Sequence, residues 1–230
     1  RRQRQMCIRD RCRHICNLCI NDYTTQPFDF ILYAFCYTIF YKKCKIMNKV
    51  NLETFSTYNF NKGANKLKIV IWYFVNALFV RASWNPFMGI KVFFLKLFGA
   101  KIGKGLVIKN NVNIKFPWKL TLGNDVWLGE NAWIDNLDEV IIGNNVCISQ
   151  GALLLTGNHD YTLSTFDYRN APIIIEDGAW IGAKTVVCPG IKVKSHAILT
   201  VGSTATKNME AYGIYQGNPA LKIRTRNITL

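Results

Sequence analysis

Aliphatic residues recur in six-residue steps within four runs between residues 102 and 199, and a glycine directly follows several of them. An α-helix cannot keep this period, because its faces recur every 3.6 residues. An array of β-hairpins would instead alternate apolar and polar residues between short turns. The positions in register are Ile102, Ile108, Ile114, Leu122, Leu128, Ile134, Ile142, Ile148, Leu154, Ile175, Ile181, Val187, Val193 and Leu199.

This period predicts a mainly β fold, a three-sided column of short parallel strands. Each six-residue step supplies one strand and a corner, and three steps complete a coil. A single coil cannot bury its interior, so the stacking of aliphatic residues from coil to coil supplies the core. We expect the glycine after the aliphatic residue, as at Gly103 and Gly182, to give the backbone the freedom that a corner requires.

One long excursion interrupts the register. Leu154 and Ile175 are 21 residues apart, where the pattern predicts about six to eight. The excess, residues 155–174, must loop out of the column, and it contains the run Gly157-Asn158-His159-Asp160-Tyr161. Binding and catalytic residues concentrate in loops that a rigid scaffold holds in place.

Three histidines occur in the chain, His14, His159 and His196. His196 falls in an ordinary repeat and is expected at the surface, whereas His159 lies in the excursion between an Asn and an Asp that could orient its ring. Imidazole is suited to taking a proton from a hydroxyl group near neutral pH. We therefore predict that His159 is a general base, and an attack on a thioester assisted in this way needs no metal.

The net charge of +15 and the eight cysteines are unevenly distributed. Residues 1–46 hold six of the cysteines, and Cys12, Cys16, Cys19 and His14 among them do not complete a zinc-ligand pattern. We expect this segment to be upstream or artefactual translation, with a membrane-associating extension as the alternative. Cys147 and Cys188 are expected to be free thiols in a reducing compartment, where an unpaired Cys behaves as a small hydrophobic residue.

Residues 47–100 form a basic, apolar region. Eleven Lys or Arg residues and no acidic residue lie between Thr54 and Asp125. Two apolar stretches, Ile69–Val80 and Ile90–Phe98, predict helices that cap the open end of the column, lie against an anionic membrane, or do both. Nucleic-acid binding is not expected, because no motif for reading bases accompanies the charge.

Several motifs in the chain, from about Met47 to Arg226, resemble the hexapeptide-repeat acyltransferases, particularly the colanic-acid-type sugar O-acetyltransferases (the WcaF-like group). The resemblance implies a left-handed parallel β-helix over residues 101–230, preceded by a helical region and ending in a short C-terminal tail. The motifs are Leu97-Phe98-Gly99-Ala100-Lys101-Ile102-Gly103, Pro117-Trp118-Lys119-Leu120-Thr121-Leu122-Gly123, Gly157-Asn158-His159-Asp160, Trp180-Ile181-Gly182-Ala183, Pro189-Gly190 and Gly217-Asn218-Pro219-Ala220.

The same resemblance implies a homotrimer that binds acetyl-CoA between neighbouring columns. It places Trp180, Gly182 and Ala183 along the pantetheine channel, and Val201, Gly202 and Ser203 in backbone contact with acetyl-CoA. Lys207 and Arg224 match positions near the nucleotide phosphates, although Leu221 and Lys222 stand where relatives often have Arg after the closing motif. The residues expected to bind the acceptor or orient His159 are Asn131, Asp135, Asn158 and Asp160.

The function implied is acetyl-CoA-dependent transfer to a sugar hydroxyl in surface-polysaccharide synthesis. We expect a cytoplasmic enzyme, peripheral at the inner face of the membrane if the acceptor sugar is carried on a lipid. The alternatives are a small free acceptor, an amino-sugar nitrogen, or a β-helix scaffold without catalysis. A γ-type carbonic anhydrase would need three histidines around zinc, and only His159 and His196 lie in the repeat domain.

Overall fold

A computed structural model describes residues 49–57 and 60–229 of the chain. The expectations for residues 1–46, including those for Cys12, Cys16, Cys19 and His14, lie outside the described residues. Within them, a 3₁₀ turn at Leu52–Thr54 precedes two helices, and a column of short strands follows.

The column has three parallel sheets, one for each side. Sheet A comprises β1 (Lys101–Ile102), β4 (Leu120–Leu122), β7 (Val140–Ile142), β10 (Ile173–Ile175) and β13 (Lys192–Val193). Sheet B comprises β2 (Val107–Ile108), β5 (Trp127–Leu128), β8 (Cys147–Ile148), β11 (Trp180–Ile181), β14 (Ile198–Leu199), β16 (Gly213–Gly217) and β17 (Ala220–Thr225). Sheet C comprises β3 (Asn113–Ile114), β6 (Trp133–Asp135), β9 (Leu153–Leu155), β12 (Val186–Val187) and β15 (Thr204–Ala205). The predicted left-handed parallel β-helix is confirmed.

The core is the stack of aliphatic residues that the six-residue period marks. Ile134 pairs with Leu154 and Leu154 pairs with Val187 across successive coils of sheet C, and all three are fully buried. Thirteen of the fourteen positions are buried, while Ile102 in the first coil is partly buried against the core. The six-residue period therefore marks the residue of each strand that points into the column.

The glycines that follow these aliphatic residues are needed for a reason other than the predicted one. Their φ angles are not positive. A Cβ on Gly123 would lie 2.6 Å from the carbonyl carbon of Gly143 in the next coil, and one on Gly182 would lie 2.6 Å from the carbonyl oxygen of Leu199. Close approach of neighbouring coils, and not corner flexibility, therefore excludes a side chain at these positions.

The left-handed backbone conformation recurs in every coil at two of the three edges, those between sheets A and B and between sheets B and C, and occurs at the C–A edge only at Gly190 and Phe166 among the described residues. The A–B edge has a positive φ in each successive coil, at Gly105, Asp125, Asn145, Gly178, His196 and Tyr212. The B–C edge has the same conformation at Asn111, Asn131, Gly151, Lys184 and Gly202. The C–A edge is irregular, and the residues added to the repeat lie there.

Two helices close the first-coil end of the column. Helix α1 (Lys66–Val75) continues as a π-helical segment (Asn76–Val80), and α2 (Met88–Leu97) follows. Trp72 donates a hydrogen bond from Nε1 to the carbonyl of Ile114 in the first coil (3.1 Å). Lys91 is 1% exposed, and its Nζ donates to Oδ1 of Asn110 (2.9 Å). No helix among residues 49–57 and 60–229 is long and apolar enough to cross a membrane.

The C-terminal end closes with a β-hairpin where the sequence predicts a short tail. β16 extends sheet B in parallel with β14, and β17 returns antiparallel to it. Asn218 and Pro219 of the closing Gly-Asn-Pro-Ala motif form the turn. The Nη1 atom of Arg226 donates to the carbonyls of Gly178 and His196, which fixes the strand end against the A–B edge.

Candidate active site

The histidine-bearing loop spans residues 156–172 and projects from the C–A edge of the third coil. It is slightly shorter than the predicted 155–174, because Leu155 ends β9 and Ile173 begins β10. Thr156 donates from its backbone N–H and from Oγ1 to the carbonyl of Asp135, in the coil below. Ala171 donates its N–H to the carbonyl of Thr156 (3.1 Å), so the loop is closed at its base.

The ring of His159 forms a hydrogen bond with one backbone carbonyl. Its Nδ1 lies 2.7 Å from the carbonyl oxygen of Phe166. A carbonyl can only accept a hydrogen bond, so Nδ1 carries the proton in this contact. In the neutral imidazole the remaining nitrogen, Nε2, then has a free lone pair, which is the protonation state a general base requires.

Three aromatic rings surround this imidazole. The ring of Phe166 stacks on it with centroids 4.3 Å apart and an interplanar angle of 8°. Tyr168 stacks at 4.8 Å, and Phe55 contacts it at 5.6 Å with a tilted ring. Phe166 has φ +53°, a conformation that is costly for a bulky residue. This strained backbone aims its carbonyl at His159.

A segment from outside the column lies across the loop, and we call it the N-terminal strap (residues 49–57 and 60–62). Asn51 donates its N–H to the carbonyl of Ser164 in the loop (2.8 Å). Phe60 contacts Tyr168 with ring centroids 4.8 Å apart. Nε1 of Trp118 donates to the carbonyl of Lys62 (2.7 Å). The strap is therefore tied both to the loop and to the column beside it.

The side chains of Asn158 and Asp160, on either side of His159, hydrogen-bond to other atoms of the loop and not to the imidazole. Oδ1 of Asn158 accepts from the N–H of His159 (2.8 Å). Oδ1 of Asp160 accepts from Oγ1 and from the N–H of Thr162, and these bonds lower the pKa of Asp160 below its usual value. The predicted ring-orienting role is filled instead by the carbonyl of Phe166.

The two remaining acceptor-side candidates lie at different edges of the column. Asp135 ends β6 directly beneath the loop, and its Oδ1 pairs with Nζ of Lys115 (2.8 Å). Asn131 lies at the B–C edge with φ +58°, which Asn tolerates better than most residues. Asp135 therefore shares an edge with His159 within one column, and Asn131 does not.

The residues expected to bind acetyl-CoA cluster at the B–C edge of the fourth and fifth coils. Gly202 donates its N–H to the carbonyl of Ala183 (2.9 Å), which joins the two predicted segments. Ser203 is buried, and its Oγ accepts from the N–H of Gly217 in the closing hairpin. Trp180 is 45% exposed on the outer face of β11, and its Nε1 donates to Oγ of Ser149.

The remaining members of that predicted set occupy other positions. Gly182 is buried beside Ala183, and Val201 is 70% exposed next to Gly202. Lys207 follows β15 and Arg224 lies on β17, where both are exposed. The structure thus brings together Trp180, Gly182, Ala183, Val201, Gly202 and Ser203, and leaves the two basic residues outside this cluster.

The other histidine and the cysteines of the column have structural surroundings. His196 lies at the A–B edge with its ring stacked on Tyr212 at 4.8 Å and 4°. Cys147 and Cys188 are free thiols, and burial raises the pKa of Cys188. Within residues 49–57 and 60–229, no group of three or more His, Cys, Asp or Glu side chains could hold a metal ion.

The aromatic surroundings of His159 were not predicted from the sequence. Phe166 and Tyr168 gave a local signal, because these two aromatic residues stand two positions apart in the excursion, soon after His159. Phe55 gave no signal in the sequence, since it is 104 positions from His159 (159 − 55) and no repeat relates the two residues.

No family model matches the chain. The chain is 36% identical over 178 residues to the colanic acid biosynthesis acetyltransferase WcaF of Escherichia coli strain K12, which covers 76% of this chain and 97% of WcaF. The chain belongs to the hexapeptide-repeat acyltransferases, in the WcaF-like group. It is an acetyltransferase of that family.

Solved structures support the fold. The hexapeptide-repeat acetyltransferase VCA0836 from Vibrio cholerae superposes with a TM-score of 0.63 at 16% identity, over 70% of this chain and 94% of its own. A galactoside acetyltransferase in complex with coenzyme A gives a TM-score of 0.63 at 22% identity, over 70% of this chain and 82% of its own. The column of this chain is therefore the fold that these two solved acetyltransferases also have.

Proposed function

We propose that this acetyltransferase moves an acetyl group from acetyl-CoA to a sugar hydroxyl, with His159 as the general base. The observation that carries the proposal is the contact between Nδ1 of His159 and the carbonyl of Phe166 (2.7 Å). This contact leaves Nε2 unprotonated in the neutral ring, on a loop that projects from a rigid column. We place the reaction in the cytoplasm, where the enzyme would meet acetyl-CoA.

The chemistry needs one proton carrier and no covalent enzyme intermediate. Nε2 of His159 takes the proton of the acceptor hydroxyl as its oxygen attacks the thioester carbon. The tetrahedral intermediate collapses when the C–S bond breaks, and the imidazolium returns the proton to the CoA thiolate. The products are an acetyl ester and free CoA. A backbone N–H near Ala183 would stabilise the oxyanion, and positioning of the two substrates supplies much of the rate.

We infer that acetyl-CoA lies along the B–C edge, against Trp180, Gly182 and Ala183. The edge has an exposed aromatic ring at Trp180 and an open position at Gly202, where an added Cβ would meet nothing within 4 Å. The basic side chains of Lys207 and Arg224 are exposed and could reach the phosphates. The solved galactoside acetyltransferase of this fold contains coenzyme A, which supports a CoA thioester as the donor.

We propose further that the active enzyme is a homotrimer with each site between two columns. His159 projects from the C–A edge, while the donor cluster lies at the B–C edge of the same column, across the width of sheet C. A second column would bring its donor edge to the first column's loop. Trp127 and Trp133 are 59% and 44% exposed on the outer faces of sheets B and C, and such apolar faces favour contact between copies.

The acceptor is proposed to be a sugar of a surface polysaccharide. The relative that covers most of this chain carries colanic acid biosynthesis in its name, and colanic acid is a polysaccharide. Asp135, Asn158 and Asp160 lie on or directly beneath the loop and offer oxygen acceptors for sugar hydroxyls. Asn131, at the B–C edge, could reach a sugar bound at the loop only of a neighbouring column.

The test follows free thiol while the full chain is incubated with acetyl-CoA and a panel of sugar acceptors. We expect acceptor-dependent thiol release, and we expect His159→Ala to lower turnover by about 10²–10⁴-fold while the chain stays folded in a thermal melt. His196→Asn is the matched control, because Asn tolerates the left-handed backbone at that edge. Near-normal turnover in His159→Ala would refute the assignment of the base.

A second measurement tests the class of acceptor. An O-acetyl ester is cleaved by alkaline hydroxylamine, whereas an N-acetyl amide survives it. We expect the product to be labile. A stable product would instead show transfer to an amino-sugar nitrogen.

A further inference from the structure

The two helices that cap the column leave an unusual surface, which we call the apolar cap face. Large apolar side chains here are 38–70% exposed. The five aromatic ones alone, at 57–70% exposure, leave roughly 500–800 Å² in contact with solvent. The members of the face are Leu67, Val70, Ile71, Tyr73, Phe74, Leu78, Trp84, Phe87, Met88, Ile90, Phe93 and Leu97. The total exceeds the few hundred Å² that a monomeric soluble protein usually leaves exposed in one patch.

Helix α1 is apolar on both of its faces. Trp72 points into the molecule and is 2% exposed, while Val70 and Phe74 point outward and are 53% and 57% exposed. A globular surface helix places charged or polar residues on its outward side. A helix that is apolar all round is buried in a protein or in lipid, so the outward side of α1 is built to be covered.

Helix α2 also leaves large apolar side chains on its outward side. Its inward side buries Leu95 (0% exposed) and Lys91 (1%), whereas Phe93 and Leu97 are 60% and 64% exposed. Desolvation lowers the pKa of Lys91, whose Nζ is held by Asn110 and the carbonyl of Lys109. Lys91 is therefore buried in the fold, whereas Phe93 on the same helix is exposed to solvent.

The charges around the apolar cap face all have one sign. Lys66 begins α1, Arg81 follows the π-helical segment and Lys96 lies near the end of α2, and all three are exposed. No acidic residue occurs between Glu53 and Asp125. Aromatic and aliphatic side chains flanked by Lys and Arg are the composition that binds at the interface of an anionic bilayer.

We propose that the apolar cap face docks on an anionic lipid bilayer. Each helix has ten residues and is therefore about 15 Å long, half of the roughly 30 Å hydrocarbon core. The helices would lie along the interface, with Phe74, Trp84 and Phe93 between the acyl chains and headgroups. Lys66, Arg81 and Lys96 would contact the lipid phosphates. This surface does not depend on the proposed role of His159.

A second copy of the same face is a poorer partner than a bilayer. Two copies packed face to face would bring the cations Lys66, Arg81 and Lys96 of both chains to one interface, with no carboxylate from this region to pair with them. A lipid surface supplies phosphate to each cation and hydrocarbon to each ring. The face therefore fits a bilayer in both charge and polarity.

The docking test is flotation of the full chain with two kinds of vesicle at low salt. One is phosphatidylcholine alone, and in the other phosphatidylglycerol replaces part of the phosphatidylcholine. We expect binding to the anionic vesicles that weakens as salt is raised. Phe93→Gln should weaken it by about tenfold, and Lys96→Glu by at least about fivefold. Lys96→Arg should bind as the native chain does.

Matched controls separate this face from other sources of binding. Ile228→Gln removes an apolar residue that is 56% exposed outside the cap face and should leave flotation unchanged. His159→Ala should also float normally, so failure of the catalytic proposal would not be mistaken for failure of this one. The proposal is overturned if the native chain ignores anionic vesicles, or if Phe93→Gln and Lys96→Glu bind as well as the native chain does. A change in oligomeric mass on Phe93→Gln, with flotation intact, would assign the face to a second copy and equally overturn it.

Discussion

The column and the histidine-bearing loop are stabilised by different interactions. The column repeats one contact, an aliphatic side chain stacked on its equivalent one coil away, and nearly every such residue is buried. The loop of residues 156–172 has no repeated contact. Its shape depends on particular hydrogen bonds, such as that between His159 and Phe166, and on a ring contributed by Phe55.

This difference separates stability from chemistry in the molecule. Free energy of folding is concentrated in the column, because burial of aliphatic area is its dominant source. The loop and the N-terminal strap contribute the orientation of one imidazole. A substitution in the column should therefore lower the thermal midpoint first, and one in the strap should lower turnover first.

The largest effect is expected inside the column. Ile142 is 1% exposed and lies between Leu122 and Ile175 in sheet A. Ile142→Ala should lower the free energy of unfolding by about 2–5 kcal/mol, through lost burial and the cavity left behind. Chemical denaturation measures it. Ile141→Ala is the matched control on the same strand, since Ile141 is 37% exposed and its loss should cost under about 1 kcal/mol. Equal losses would mean that inward and outward positions are not distinct.

A smaller effect, on turnover, is expected in the strap. Phe55→Ala removes the ring that contacts both His159 and Tyr168, so the imidazole should gain freedom to rotate. We expect kcat to fall by about 10- to 100-fold, with a loss of only about 0.5–1.5 kcal/mol in stability. Steady-state thiol release and a thermal melt measure the two quantities.

Phe60→Ala is the control for that comparison. Phe60 belongs to the same strap and contacts Tyr168 and Nζ of Lys119. Of the two phenylalanines, Phe55 is the one whose ring contacts His159. Its loss should affect stability as much as the loss of Phe55, and turnover less. If the two variants slowed the enzyme equally, the strap would act as a tether only.

The smallest effect concerns acid stability of the column. Hydrogen bonds from Lys192 and Ser195 hold the pKa of Glu176 below its usual value. A carboxylate with a lowered folded-state pKa contributes stability above its unfolded pKa, about 4.3, and loses that contribution as the pH falls through the folded value. The thermal midpoint of Glu176→Gln should therefore fall less steeply than that of the native chain below about pH 4.5. Glu130→Gln, at an exposed corner, should follow the native curve.

The sequence predicts the column well because each six-residue step has an aliphatic residue at the same position, and that residue is buried in nearly every step. It also predicts the loop, since an excursion is visible as a gap in the register between Leu154 and Ile175. The corner glycines were located correctly and explained wrongly, because contact between Gly123 and Gly143 depends on coils that are 20 residues apart (143 − 123). The closing hairpin was missed, as Leu221 to Arg224 alternates and does not follow the six-residue step.

The candidate site was harder to predict than the fold. His159 stands out because it interrupts a pattern, but its orienting partner is a backbone carbonyl, which has no signature in a sequence. The contact with Phe55 depends on how the strap crosses the loop, and only tertiary structure supplies that. Local sequence singles out His159 as the candidate base, whereas one ring of its environment, that of Phe55, comes from a distant segment.

The irregular C–A edge has a consequence for how such enzymes diversify. Eight residues separate Ile114 from Leu122 and Ile134 from Ile142 at this edge, and 21 separate Leu154 from Ile175, yet the strands on either side stay in register. Segments of different length can thus be exchanged there while the B–C edge is left untouched. Transplanting this one loop between relatives offers a direct route to new acceptor preferences on an unchanged scaffold.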